Sequence, residues 1–204
     1  MIDAATVSQP GLDDPVHRSQ EIFRTVLAAL AEPGRVMQVS FATPTGLDVD
    51  SAALAVLLTL TDGDTPLWLG QRAPALAAYL RFHTGAAIVA DPAQAQFALF
   101  GAADQRPLDA FNTGHEDYPD RSATLIIEVR ALQEGGPIAL RGPGIPQLRH
   151  VTIDGLPENF ARQWAANHGL FPCGVDVILT CGARLMGLPR TVSFEPNSPE
   201  SSCM

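Results

Sequence analysis

Apolar positions along this chain change their period several times, and each change marks an element. Between Pro15 and Ala31 they fall at Ile22, Phe23, Val26, Leu27 and Leu30, the spacing of one helix face. Asp13 or Asp14 suits its N-cap, Pro15 its first turn, and Pro33-Gly34 stops it. RVMQVSF, residues 35–41, then alternates as a half-buried strand does, and Pro44 to Gly46 turns the chain. From Ser51 the uninterrupted run AALAVLLTL predicts a buried helix, ended by Asp62-Gly63-Asp64. A strand at 65–69, a helix from Pro74 to Phe82 and a strand at 86–90 follow. FALF (97–100) reads as a strand, DQRPLDAF (104–111) as a short helix, and the aperiodic 112–122 as a surface loop.

The second half is richer in strands. TLIIEV (124–129) is apolar enough to be central in a sheet. Gly135-Gly136-Pro137 followed by IALRGPGI suggests an antiparallel pair. Residues 157–169 predict a helix with Phe160 and Trp164 facing the core. VDVILTC (175–181) is a strong strand, and RLMGLP and TVSF are shorter ones. The pattern predicts an α/β fold with one domain at 15–195, a mixed β-sheet with packed helices, between an N-terminal tail (1–14) and a disordered C-terminal tail (196–204).

Charge narrows the possible partners. A net charge of −9 without a basic patch argues against nucleic acid. The N-terminal residues lack the basic and apolar regions of a secretory signal, and no apolar run approaches the roughly 20 residues of a membrane span, so a cytoplasmic protein with no membrane contact is expected. All 13 cationic side chains are Arg. Base composition accounts for such a bias, and so does a need for planar forks that grip phosphate or phosphonate oxygens. Without any Lys the chain cannot hold pyridoxal phosphate as a Schiff base. Cys173, Cys181 and Cys203 give neither a disulfide framework nor metal spacing, so no iron–sulfur cluster and no metal site are expected.

Few residues suggest chemistry. Arg81, His83 and Thr84 end a predicted helix just before a strand; they can bind an anionic oxygen and move a proton, or cap the last carbonyls. Asp62 and Asp64 read as a turn, and His115-Glu116-Asp117 as solvated surface. Asp176 interrupts an apolar run and calls for a cation, Arg184 or Arg190. Gly142-Pro143-Gly144 is a weak phosphate-loop signal because Pro143 lacks a donor, and Cys181 reads as a small buried thiol. No residue earns a catalytic assignment.

Four blocks keep their order over nearly the whole chain: EPG at 32–34, LLTLTDGDTPLWL at 57–69, LRFHTGA at 80–86 and FPCGVDVILTCGARLMGLPRT at 171–191. On them the chain resembles the H subunit of the bacterial carbon–phosphorus lyase system, with Cys173 standing where an aliphatic residue is expected. The resemblance implies a fold like a reduced pyridoxal-phosphate transferase without the cofactor. It also implies work with the G, I and L proteins in transferring ribose triphosphate from ATP to an alkylphosphonate, with the iron–sulfur J subunit cleaving the carbon–phosphorus bond later. Those subunits are the expected partners, and a homodimer is expected when the chain is alone. Two roles stay open: an assembly subunit without turnover, or a substrate-binding subunit using Arg81, His83, Thr84 and Arg190.

Overall fold

The computed structural model describes residues 4–72, 74–101, 104 and 106–195. Helices α1 (Ala4–Val7) and α2 (Pro15–Ala31) lead to β1 (Met37–Gln38), α3 (Ser51–Leu60), β2 (Leu67–Leu69), α4 (Pro74–Thr84), β3 (Ile88–Val89) and β4 (Phe97–Gly101). Then come β5 (Thr124–Glu128), β6 (Ala131–Arg141), β7 (Arg149–Asp154), α5 (Phe160–His168), β8 (Asp176–Cys181), β9 (Arg184–Leu188) and β10 (Ser193–Glu195). Seven strands make one mixed sheet in the order β1-β9-β8-β5-β4-β2-β3, and β10-β6-β7 make a second. β8, β5, β4, β2 and β3 run parallel, whereas β9 is antiparallel to both β8 and β1.

Central strands divide their side chains between two cores. Leu125, Ile127, Val177 and Leu179 join one core with Trp68, Phe100 and Trp164; Ile126, Ile178 and Leu99 join the other with α2, α3 and α4. Period-two alternation of wholly apolar strands produces this, because both faces of a mostly parallel sheet are covered. α3 is buried from Ala52 through Leu57, as a helix apolar on all sides must be. No helix among the described residues is long and apolar enough to cross a membrane.

α2 begins as expected, with the Asp14 carboxylate accepting from the His17 amide and Pro15 in the first turn. Its buried stripe is narrower than predicted: Ile22, Val26 and Ala29 are covered, while Phe23 and Leu27 are exposed. The narrowness follows from how closely α2 lies on β9. A Cβ on Gly187 would stand 2.4 Å from the Ala29 carbonyl oxygen.

Three other expectations change. Gly135-Gly136-Pro137 does not separate two strands, because β6 runs through it with a bulge between Glu134 and Ile138 and pairs with β7 and β10. In place of the short helix expected at 104–111, the described residues there include a 3₁₀ turn at Leu108–Ala110 after Pro107. RVMQVSF pairs at Met37 and Gln38 and by one further bond from the Val39 amide, because β9 has no residues left to meet it beyond that point.

Residues 4–12 carry α1 and are fastened to α4. Tyr79 donates its hydroxyl to the Pro10 carbonyl at 2.9 Å, and Gly11 sits against the His83 ring. The Gln9 amide exchanges two hydrogen bonds with the Thr45 backbone, each 2.9 Å. The C-terminal segment 196–204 lies outside the described residues.

Candidate functional site

The structure does not gather Arg81, His83, Thr84 and Arg190 into one place. Thr84 donates to the Leu80 carbonyl at 2.7 Å and accepts from the Ala86 amide, closing the end of α4. His83 Nε2 lies 3.0 Å from the Gln9 carbonyl oxygen, and its ring packs on Tyr79 and Phe82. The Arg81 side chain is exposed and makes no hydrogen bond or ion pair among the described residues. Arg190 belongs to the β8 side of the sheet. The α4 group precedes β3, and β5, β4 and β2 intervene, about 19 Å at ~4.8 Å per strand.

Arg190 is the cation that Asp176 requires. Its Nη2 meets Asp176 Oδ2 at 2.6 Å, its Nε and backbone amide both reach Oδ1, and Nη1 donates to the Pro119 carbonyl at 2.9 Å. Nη2 also donates to Ser122 Oγ at 2.5 Å. The fork therefore clamps the loop 119–122 to the amino ends of β8 and β5, leaving little of it for a ligand. Arg184 instead reaches Cys181 Sγ at 3.6 Å, and this thiol is half-buried in the β8–β9 turn.

The remaining motifs resolve into turns. Asp62 accepts from the Asp64 amide at 3.0 Å, an Asx turn. Gly144, with φ at +81°, lies so close to the Ala31 carbonyl that a Cβ would stand 2.1 Å away, so this glycine is packed on the end of α2, while Gly142 lies against Thr191 and Val192. His115 and Asp117 pair on the exposed loop. No group of three or more metal-ligating side chains occurs among the described residues.

A second ionic cluster, which sequence reasoning did not find, sits at the carboxyl ends of the parallel strands, the usual ligand end of an open α/β sheet. Arg72, after β2, pairs with Glu128 at the end of β5 and donates to the Asp48 carbonyl at 3.3 Å. Glu128 also accepts from the Asp50 amide at 2.6 Å, and Thr180 donates to Asp50 Oδ2 at 3.1 Å. Burial chiefly, with the Asp50 carboxylate adding to it, holds the Glu128 carboxyl above its ordinary range despite the Asp50 amide and Arg72. The cluster binds the amino end of α3 to the sheet, where a carboxylate also suits the helix dipole. Its members lie far apart in sequence; the one local signal is Glu128, a carboxylate closing an otherwise apolar strand.

Recesses mark the surface of the described residues. An open groove of about 770 Å³ runs along residues 38–45 and is walled by Gln9, Asp13 and Arg18. A cleft of about 550 Å³ lies between α5 and residues 107–113, lined by Leu108, Ala166 and Leu170 with Arg162 at its rim.

Ionic groups that hold elements together, in a mixed sheet covered by helices, define an α/β protein. Residues 10–195 match the family described as bacterial phosphonate metabolism protein (PhnH). A Rhizobium meliloti (strain 1021) protein named alpha-D-ribose 1-methylphosphonate 5-triphosphate synthase subunit PhnH is 40% identical over 188 residues, covering 89% of this chain and 92% of that one. A Stutzerimonas stutzeri protein named as a C-P lyase subunit, HtxG, is 32% identical over 175 residues, covering 85% and 84%. The chain belongs to the PhnH family.

Proposed function

We propose that this chain is an accessory subunit in phosphonate catabolism, acting in a ribose 1-methylphosphonate 5-triphosphate synthase and carbon–phosphorus lyase complex. The observation that carries this is near full-length identity of 40% to a protein named as a subunit of that synthase. In this reading it works in the cytoplasm with the G, I and J subunits and the L protein, in transfer of ribose triphosphate from ATP to an alkylphosphonate, and forms a homodimer when separated from them. It contributes surfaces, not turnover. The same reading takes the fold as a reduced pyridoxal-phosphate-transferase type that carries neither that cofactor nor an iron–sulfur cluster, supported by a sequence with no Lys and only three scattered Cys.

Two measurements test it. Deleting the gene from a host that uses methylphosphonate as sole phosphorus source should abolish growth, and the wild-type chain should restore it. Purified alone with ATP and methylphosphonate, the chain should release no adenine above a protein-free control, and release there would overturn the accessory role. A directly substrate-binding subunit is the rival reading. Its supporting observation is Arg81, an exposed guanidinium without a carboxylate partner among the described residues, beside His83 and Thr84, with Arg190 as a more distant candidate. Arg81→Ala that loses growth while keeping stability and assembly would favour the rival.

A further inference from the structure

The sheet ends, on the β9 side, in an edge that the described residues leave open. β1 is the terminal strand of the seven, and among the described residues only its β9 side is paired. Beyond Gln38 the chain stays alternating in burial through Thr43: Val39, Phe41 and Thr43 turn inward, Gln38, Ser40 and Ala42 outward. Val39 is buried, and Phe41 packs against the same core as α3. The Val39 amide donates to the Ala183 carbonyl at 2.8 Å, toward β9. Strand geometry then aims the amides and carbonyls of Gln38, Ser40 and Ala42 away from β9. Among the described residues, the amides of Ser40, Phe41, Ala42 and Thr43 donate no hydrogen bond.

Such an edge is usually guarded by charge or a bulge, because it is a template for pairing with other chains. This one carries no charged residue from Val36 through Leu47, in a chain that is 17% charged overall, and its Pro44 lies past the open stretch. The groove of about 770 Å³ follows the same residues and gives the space for an added strand. Gln9, Asp13, Arg18 and Ala183 also line it, and the Gln9–Thr45 bonds tie residue 9 to its far end.

We propose that residues 38–43 bind an extended segment of another subunit of the complex by β-strand addition, through the backbone of Gln38, Ser40 and Ala42. Main-chain bonds would supply the affinity, and short uncharged side chains on the incoming strand would fit beside Ser40 and Ala42. The identity of the occupant rests on the accessory-subunit reading above.

The test uses the full complex, reconstituted from co-expressed subunits. Ser40→Pro and Ala42→Pro each remove an outward amide, and the double variant should weaken assembly by about tenfold or more, as two lost main-chain bonds imply. Ser40→Ala, which keeps the amide, should assemble as wild type does. Hydrogen exchange of the wild-type chain supplies an arm that needs no variant: the Ser40 and Ala42 amides should exchange freely in the isolated chain and slow by tenfold or more in the complex. Unchanged exchange in a complex that does assemble overturns the proposal while leaving the accessory role intact. Failure of the wild-type chain to assemble at all overturns the accessory role instead. Slow exchange already present in the isolated chain, lost on dilution, identifies a second copy as the occupant and also overturns the proposal.

Discussion

Two arginines that look alike in the sequence have opposite situations. Arg190 meets Asp176 through three donors and two backbone carbonyls nearby, while Arg81 has no partner among the described residues. Arg190→Ala leaves the Asp176 carboxylate, only 25% exposed, without its cation, and should cost about 3 kcal/mol in urea unfolding. Arg81→Ala should stay within about 0.5 kcal/mol of wild type in the same measurement. A small effect for Arg190 would mean that Asp176 finds another donor. Glu128 adds a pH dependence. Since burial raises its folded value above the ordinary 4.5, the native state holds a proton that the unfolded chain releases. Its contribution is thus fully present below that ordinary value and is lost as pH rises through the folded one. Glu128→Gln does not titrate, so the stability of wild type relative to this variant should fall as pH rises from the ordinary glutamate range through the higher folded value. Denaturation curves showing a constant difference would sink this.

Two elements approach closely where α2 crosses β9. Gly187→Ala places a Cβ 2.4 Å from the Ala29 carbonyl oxygen, a backbone atom that cannot swing aside, and should cost about 1–3 kcal/mol by thermal or chemical unfolding. That contact was not legible in the sequence, where RLMGLP shows only a strand with a Gly in it. Legibility elsewhere followed the range of the interactions. α2, α3 and α5 were readable because caps and apolar spacing are local, and the partner of Asp176 because an unpaired carboxylate beside a strong strand demands one. The path of β6 through Gly135-Gly136-Pro137 was not readable, since Gly and Pro mark a turn locally and the bulge exists only because β7 lies alongside. Arg72, Glu128, Asp50 and Thr180 were missed for the same reason: they are brought together by sheet order, which no window of sequence contains.

At the scale of the molecule, two apolar cores share the same strands. Both tryptophans, Trp68 and Trp164, lie in one core, and α2, α3 and α4 pack in the other. Neither core can dissolve without exposing β4, β5 and β8, so tryptophan fluorescence and far-ultraviolet dichroism should report one coincident urea transition. Separate midpoints would show that the two layers melt independently. Shared strands also raise a question of alignment. In a sheet with one wet face, sliding a strand by one residue turns apolar side chains into water and is penalised at once. Leu125, Ile126 and Ile127 would exchange one apolar core for the other, as would Val177, Ile178 and Leu179, so hydrophobicity alone barely distinguishes the slipped arrangement. The polar residues at the strand ends do distinguish it. Asp176 stands opposite Thr124 and is gripped by Arg190 at one end; Glu128 stands opposite Thr180 and is gripped by Arg72 at the other. A shift of one place, about 3.3 Å, would draw one carboxylate into the apolar interior and tear the other from its partner. The two ionic clusters are the alignment pins of the sheet.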